Sequence, residues 1–485
     1  MGGAIFTFLG AIGTAIAGSI GVTLAVTSVT AILIGAVAVG GVLFLASKAL
    51  KRAKQNRRRG PTGTLVTRSG TAENIPVVYG KRRLAGMRVF LANEGDTNQD
   101  LYVVEAICEG PIKGCSKIFF NDELAASSTD DGATWSYEEK YASHLSVTFY
   151  DGSQTTADGT LTGKDGWTAA HVGNKVAYAI LKLTWDQEKY GGGVPNITYL
   201  VEGKKVPAIG SSQSSSLGYT TNPARIVYDY LTNDLYGKAI PYTEIDTTSF
   251  NAIASYCDEQ VATSATDTTQ TTRYSCHAYL DTDDTLLNNL EALLTSFRGG
   301  IITGDKYKLI ADKPTAWSGV TIDDDSILGN IEFLQASKRS LLNSVRANIA
   351  NEHDDFNYQE DVITVESATL QGSSYDGTKL KQDIQLMCTT NAQMVERILT
   401  EEINQSRQSG VVTADVVPSL FKLEVGDVVK FTNSTLGQTD KLYKIIQVGL
   451  EPDYKVKLTM REYDTNVYWD NNTSIIINNK NDTDH

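Results

Sequence analysis

The residues to test first for chemistry are the histidines, and there are five: His144, His171, His277, His353 and His485. They are scattered, with no H-x-E, HExxH or closely spaced His pair that would set two imidazoles on one ion, so the pattern argues against a histidine-ligated metal centre. Acid runs are plentiful at Asp130-Asp131, Asp283-Asp284, Asp323-Asp324-Asp325 and Asp354-Asp355. A glycosidase needs two carboxylates facing each other across a cleft, which adjacency in sequence does not supply. These runs read instead as solvated turns and a helix N-terminus. Asp323 to Asp325 also lacks the alternating donors of a calcium-binding EF-hand loop. No GxSxG, Walker A or GxGxxG sequence occurs, and Gly191-Gly192-Gly193 lacks the Lys-Ser/Thr of a phosphate cradle. The expectation is a protein without a catalytic residue, cofactor or metal.

The five cysteines (Cys108, Cys115, Cys257, Cys276, Cys388) are odd in number and form no CxxC, so they read as buried apolar residues of a chain folded in a reducing cytoplasm. With 485 residues, three or four domains are expected. The 41 Gly and 23 Tyr against 10 Pro and 5 Met lean toward strands and turns. Charge is split unevenly. Residues 1–60 carry seven basic groups and no acid, while 36 basic and 57 acidic residues leave −21 on residues 61–485. An acidic body argues against a wrapped nucleic-acid ligand, whose affinity rests on phosphate neutralisation.

The elements that must position any site begin after a long apolar stretch. Ala4 to Ala46 is uncharged and dominated by Gly, Ala, Ile, Val and Leu, twice the length of one bilayer span. Small residues recur every four positions (Gly10, Thr14, Gly18; Ala31, Gly35; Ala36, Gly40), a face that lets helices approach closely. The β-branched stretch Val22 to Thr30 interrupts it, which predicts two apolar helices joined near Thr27-Ser28. The basic flank Lys48 to Arg59 follows the apolar part instead of preceding it, against a cleaved signal. A membrane anchor, a self-associating bundle and a docking arm for another protein's apolar helix all fit this segment.

From Gly60-Pro61 onward the pattern predicts successive strands at Ile75–Gly80, Met87–Leu91, Leu101–Cys108, Ile118–Phe120, Val176–Trp185 and Ile197–Gly203. Polar residues 125–165, with Val147–Tyr150 as their one strand, predict an exposed excursion. Ile209 to Gly218 reads as a Ser-rich linker. Three helices are expected next: one capped by Asn222-Pro223, one from Thr247, and one over Asp281–Phe297 with acids in its first turn. A hairpin turns at Gly304-Asp305. Strands follow to about Val365, then a helix opened by a capping box at Thr390–Gln393. Gly426–Thr432, Leu442–Val448 and Tyr454–Met460 predict a small antiparallel barrel, and Asn471–His485 a polar tail.

Five local patterns recur in a telling order. They are Ile75-Pro76-Val77-Val78-Tyr79-Gly80; Glu105 to Ile112 with Gly110-Pro111; Gly193-Val194-Pro195-Asn196-Ile197; Asn222-Pro223-Ala224 with Tyr228-Asp229-Tyr230; and Leu423 to Val429 with Gly426-Asp427, joined by Arg461-Glu462-Tyr463-Asp464. Together they resemble the hub portion of tailed-phage tail tip proteins, the family of the tip attachment (host specificity) protein J, over roughly residues 61–468. The residues that carry the resemblance are Pro76, Tyr79, Gly80, Gly110, Pro111, Pro195, Asn196, Asn222, Pro223, Tyr228, Tyr230, Gly426, Asp427, Arg461 and Tyr463, as interface or fold positions.

The resemblance implies a β-rich α+β multidomain fold with tail-hub β-barrel domains, a small helical insertion and an apolar N-terminal helical arm. The expected divisions are an apolar arm with its basic flank at 1–59, a hub β domain at 60–215, a helical α/β domain at 216–318, a second hub β domain with helix at 319–410, and a small C-terminal barrel and tail at 411–485. It further implies a non-enzymatic virion protein at the phage tail tip, made in the host cytoplasm: a homotrimer closing the tail tube. Its partners would be the distal tail or tube protein, the tape measure protein through the apolar arm, a tip fibre or receptor-binding protein, DNA in transient passage, and the host membrane. Host specificity proteins continue past the hub portion with receptor-reading domains, whereas the resemblance here stops near Trp469, so the expectation is that a separate fibre carries receptor recognition. A membrane-anchored bacterial surface or secretion protein and a tip-borne cell-wall hydrolase are the alternatives.

Overall fold

The computed structural model describes residues 67–69, 74–164, 166–190, 192–262, 269–335, 341–352, 358–373, 376–408, 410–450 and 454–468. The apolar arm with its basic flank, the linker at 57–63 and the tail from Asn471 lie outside the described residues.

Asp100–Glu109 is apolar on both faces from Leu101 to Cys108 except at buried Glu105, and it takes the central place in a five-stranded sheet. Met87–Glu94 and Val176–Thr184 flank it antiparallel, with Arg68–Ser69 and Leu145–Tyr150 at the edges. Ile197–Pro207 organises a second sheet, pairing antiparallel with Ile112–Phe120, Lys81–Ala85 and Leu217–Tyr219. Side chains alternate between the faces of a strand. Val103, Ile107 and Leu181 therefore meet Tyr199 and Val201 between the sheets, while Tyr102, Val104 and Ile180 face the opposite way onto Leu161 and Trp167. The expected exposed excursion is partly built into this sandwich. Glu123–Ser127 and Ser136–Tyr137 extend the second sheet, and Ala125, Ala126, Tyr141 and Leu161 are buried. Gly, Ser and Asp in the intervening turns hid the apolar positions.

The three-residue strand Val77–Tyr79 shows what the alternation does for assembly of the chain. Val78 faces the sandwich core, while Val77 and Tyr79 face the core of the next region. It pairs antiparallel with Ala278–Leu280, from the helical middle of the chain.

That middle contains α1 (Pro223–Thr232), α2 (Thr247–Asp258) and α3 (Leu286–Thr295). Asn222 caps α1 through its side-chain oxygen with Pro223 in the first turn, as the sequence predicts. Asp246 caps α2 and Thr285 caps α3. The acids at 281–284 thus precede α3 and do not occupy its first turn. The hairpin Gly299–Thr303 with Tyr307–Ala311 follows. A three-stranded sheet then places Ser344–Glu352 between Tyr358–Glu366 and Lys381–Gln385. Helix α4 (Ala392–Arg407) is capped by Asn391, one residue later than the Thr390 expected from the capping box. One apolar core runs through Ile226, Phe250, Leu293, Ile301, Val345, Ile349, Val395 and Ile398, so helices, hairpin and three-stranded sheet are one packed unit.

The last sheet has six strands in the order Trp317–Ile322, Val428–Asn433, Gln438–Leu450, Val456–Glu462, Gly410–Val416, Ile327–Gln335. Both terminal strands touch the same core, through Ile322 on one side and Ile327 and Ile331 on the other, but they do not pair. The small antiparallel barrel expected here is an open path, and its first strand is parallel to its neighbour. Among the described residues no sheet closes into a barrel. No helix among them is long and apolar enough to cross a membrane.

Candidate functional site: buried polar joints

Two polar joints lie where these units meet. The first centres on Asp229, fully buried on α1. Its Oδ2 accepts from the hydroxyl of Tyr79 at 2.5 Å and that of Tyr236 at 2.7 Å, and its Oδ1 from Gln213 Nε2 at 3.0 Å. Burial raises the pKa of Asp229 against the pull of these donors, and burial beside Asp229 drives both tyrosines well above the ordinary phenol range. Lys204 lies 5.1 Å from the Tyr236 ring and donates to the Gly110 carbonyl. Strand Val77–Tyr79, the Gly110-Pro111 turn, helix α1 and the Ser-rich connection at 209–218 are thereby tied to one carboxylate.

Most of the resemblance-bearing residues converge here. Pro76 accepts from the Glu109 amide at 2.9 Å, and Gly110 donates to Lys175 at 2.7 Å. A Cβ on Gly110 would lie 2.7 Å from the Gly152 Cα, so two chains cross where only glycine fits. The Gly110-Pro111 peptide is cis, and Pro111 accepts from the Lys205 amide at 3.0 Å. Gly80 sits at φ +63°, with the Cys276 carbonyl where a Cβ would point. Asn222 Nδ2 donates to Ala254 at 2.8 Å, fixing α1 against α2, and the Tyr228 hydroxyl donates to Ser211 at 2.7 Å. Pro223 and Tyr230 are buried in the same core. Pro195 and Asn196 lie apart, at the start of Ile197–Pro207, where Asn196 Oδ1 accepts from the Thr67 amide at 2.6 Å.

The second joint is ionic. Arg298, just before the hairpin, reaches Asp312 at 2.9 Å, Glu402 at 3.2 Å and Gln405 at 2.7 Å, and also pairs with Glu401. Lys444 of the last sheet reaches Asp312 at 3.0 Å, Arg461 approaches it at 3.7 Å, and Tyr468 donates to it at 2.7 Å. Three cations thus face three acids, with every side chain at most 11% exposed. Burial acts to raise the Asp312 pKa, but Lys444, Arg298 and Arg461 hold it well below the carboxylate range. Burial pushes Glu402 up to about 7. Tyr463, beside Tyr468, exchanges hydrogen bonds with the Thr315 backbone at 2.7 and 3.0 Å. Gly426, at φ +97°, and Asp427 form the turn before Val428–Asn433, their backbones pairing with Ile445 at 2.8 Å.

Arg461 and Tyr463 were singled out in the sequence. Asp229, Arg298, Asp312, Glu401, Glu402 and Lys444 were not. The available signal was a charged residue on the apolar stripe of α1 and α4, where solvated charge is not expected. Two further buried groups are neutralised locally. Burial raises Glu105 to about 7, between Arg88 Nη2 at 3.1 Å and the Tyr199 hydroxyl at 3.0 Å, and burial lowers His277 to about 4, its Nδ1 accepting from the Lys81 amide. The two joints pair residues from different elements with one another, an arrangement that ties the units they join. Among the described residues no group of His, Cys, Asp and Glu is arranged to hold a metal ion.

Comparison with known proteins agrees with the resemblance. Residues 288–448 match the family described as "Putative phage tail protein". The chain is 24% identical over 463 residues to the baseplate hub protein pb3 of Escherichia phage T5, covering 82% of this chain and 48% of that protein. It is 26% identical over 147 residues to the tip attachment protein J of Escherichia phage SECphi27, covering 30% of this chain and 12% of that one. The chain therefore spans about half the length, or less, of these relatives. A chain in the solved virion of a native gene transfer agent (GTA) particle shares the fold, with a TM-score of 0.58, 16% identity, and 95% and 97% of the two chains covered. With the five motifs in order and this similarity across most of its body, the chain is related to the tail tip and baseplate hub proteins of tailed phages.

Proposed function

We propose that this protein is a structural component of the phage tail tip, forming a trimeric hub at the distal end of the tail in the virion. The similarity to a baseplate hub protein over 82% of the chain carries this reading. The hub closes the tail tube, bears tip fibres or a receptor-binding protein, and offers a channel through which tape measure protein and then DNA pass at ejection. Its work is mechanical, and the polar joints are consistent with it: each ties separate units through buried charge. The open six-stranded sheet supplies the barrel-like part of the ring, bordering the tube. The apolar arm at residues 1–47 is buried among its copies or grips apolar helices of the tape measure protein, with the host membrane as a contact at ejection.

The decisive measurement is the solution mass of the full chain by light scattering in mild detergent. Three times 52.6 kDa supports the hub; a monomer at micromolar concentration in the presence and absence of the tail tube protein overturns it. Gold-labelled antibody against the body should decorate the tail tip of virions. Phage lacking residues 1–47 should assemble tails yet fail in infection, and normal infection would remove the arm from the mechanism.

A further inference from the structure

All five cysteines are buried free thiols, and two of them meet. Cys276 lies just before strand Ala278–Leu280, and Cys388 lies between Lys381–Gln385 and helix α4. Their side chains are hydrogen-bonded to each other inside the core that joins the helices, the hairpin and the three-stranded sheet. The backbones are adjacent as well, since the His277 amide donates to the Cys388 carbonyl at 2.9 Å. That bond alone holds the Cα atoms of 276 and 388 within about 8 Å, and the facing thiols bring the pair into the range a disulfide spans, a Cα separation of about 4.4–6.8 Å. Other thiols are engaged differently: Cys115 donates to the Lys117 carbonyl at 3.5 Å, and Cys257 meets the Ala224 backbone.

We propose that Cys276 and Cys388 are a latent cross-link, a thiol pair that a two-electron oxidant converts to a disulfide within the folded chain. Both side chains are fully buried, so the oxidant must be small and neutral, as hydrogen peroxide is. The Cys276 sulfur gives up its proton and attacks one peroxide oxygen; the O–O bond breaks, and the departing hydroxide takes the proton and leaves as water. The Cys388 sulfur then attacks the sulfenic sulfur of Cys276. The S–S bond forms, the S–O bond breaks, and the hydroxyl leaves with the Cys388 proton as a second water. Two thiols and one peroxide thus give one disulfide and two waters. Around Cys276 the Arg82 guanidinium favours the thiolate and Ser296 is in hydrogen-bond contact, while the bond to Cys388 and burial oppose ionisation, so the pair rests as thiols until an oxidant arrives.

The link joins places that the fold already brings close. The Cys276 carbonyl abuts Gly80, at the end of strand Val77–Tyr79, and Cys388 leads into α4. It closes a loop of about 110 residues, and the stabilisation from a disulfide grows with the length of the loop it closes. A virion passes from a reducing cell to an oxidising medium, so the same chain would assemble with free thiols and be locked afterwards. The inference is independent of the hub reading and holds for any function of the chain.

The test treats the full chain in mild detergent with hydrogen peroxide, then traps the remaining thiols with N-ethylmaleimide in denaturant. Five thiols should be trapped before treatment and three after it, with one peptide pair linked through Cys276 and Cys388 in the mass spectrum. The oxidised chain should melt at least about 5 °C above the same sample reduced with dithiothreitol. Cys388→Ser should keep its four thiols under the same treatment and gain nothing in Tm. Five thiols trapped after oxidation, a link through any other cysteine, or a Tm that does not rise overturns the proposal.

Discussion

Replacing Arg298 by methionine removes the fork that neutralises the ionic joint while keeping most of the side chain's length. Asp312, Glu401 and Glu402 would remain, with side chains at most 5% exposed, and Lys444 and Arg461 would still pair with Asp312. Breaking a buried ion network by deleting one partner costs about 3–5 kcal/mol, because uncompensated charge stays in low dielectric. For a cooperative unit of about 150–250 residues that corresponds to a fall in Tm of roughly 6–20 °C. Arg298→Lys keeps a charge but loses the planar fork, and should fall between the two.

The deficit must also depend on pH. Glu402 has a folded pKa of about 7, above its ordinary 4.5, so its contribution is complete below pH 4.5 and is lost as pH rises through 7. At 1.36 kcal/mol per pH unit the gap is worth roughly 3 kcal/mol. Arg298 opposes the rise, so its removal lifts the folded pKa further and deepens the loss at alkaline pH. Scanning calorimetry of both chains at pH 5 and pH 8 should show the larger deficit at pH 8. A deficit under about 1 kcal/mol at pH 8, or one that is greater at pH 5, would refute the reasoning.

The other joint and its surroundings yield three more expectations. Tyr79→Phe and Tyr236→Phe each remove a hydrogen bond to buried Asp229 and should each cost about 1.5–3 kcal/mol by thermal denaturation; because the two hydroxyls share one oxygen, the double variant should depart from additivity by at least about 0.5 kcal/mol. Gly80→Ala places a Cβ at φ +63° against the Cys276 carbonyl, and the left-handed conformation alone costs about 1–2 kcal/mol; an unchanged Tm would mean that the turn at Gly80 shifts freely. Glu105, raised to about 7, likewise loses its contribution between pH 4.5 and 7, so Glu105→Gln should flatten the decline in Tm over that interval by the equivalent of roughly 3 kcal/mol.

What could be read from the sequence was local. Asn222-Pro223 announces the start of α1 because capping and a first-turn proline depend on adjacent residues only, and the hairpin around Gly304-Asp305 follows from the same kind of signal. Errors of a residue or a turn came where competing caps lie side by side, as with Thr390 and Asn391, or where acids precede a helix without entering it, as at 281–284. The strands at 123–127 and 136–137 escaped notice because such short strands, with Ala and Ser among few apolar residues, lack a strong period. Sheet closure was illegible for a different reason: whether six strands meet depends on twist and shear summed over all of them. The ionic joint is less legible still, since Arg298 and Glu401 are separated by 103 positions and nothing local marks them as partners.

Charge, whose division along the chain is legible in the residues, acquires an inside and an outside only in the fold. Among described residues, the fully buried charged set holds six cations (Arg82, Arg83, Lys204, Arg273, Arg397, Lys444) and seven acids (Glu105, Asp158, Asp229, Asp312, Asp376, Glu401, Glu402). The interior is therefore close to balanced. Nearly all of the −21 on residues 61–485 must lie on groups that reach solvent or in segments outside the described residues. Low dielectric demands that balance inside, since an unpaired buried charge costs several kcal/mol, and water tolerates the surplus outside. The consequence is a surface that repels phosphate within about a Debye length, near 8 Å at physiological salt. If the proposed DNA channel is correct, an acidic surface along it would let a polyanion pass without being held, and raising the salt concentration would weaken that repulsion.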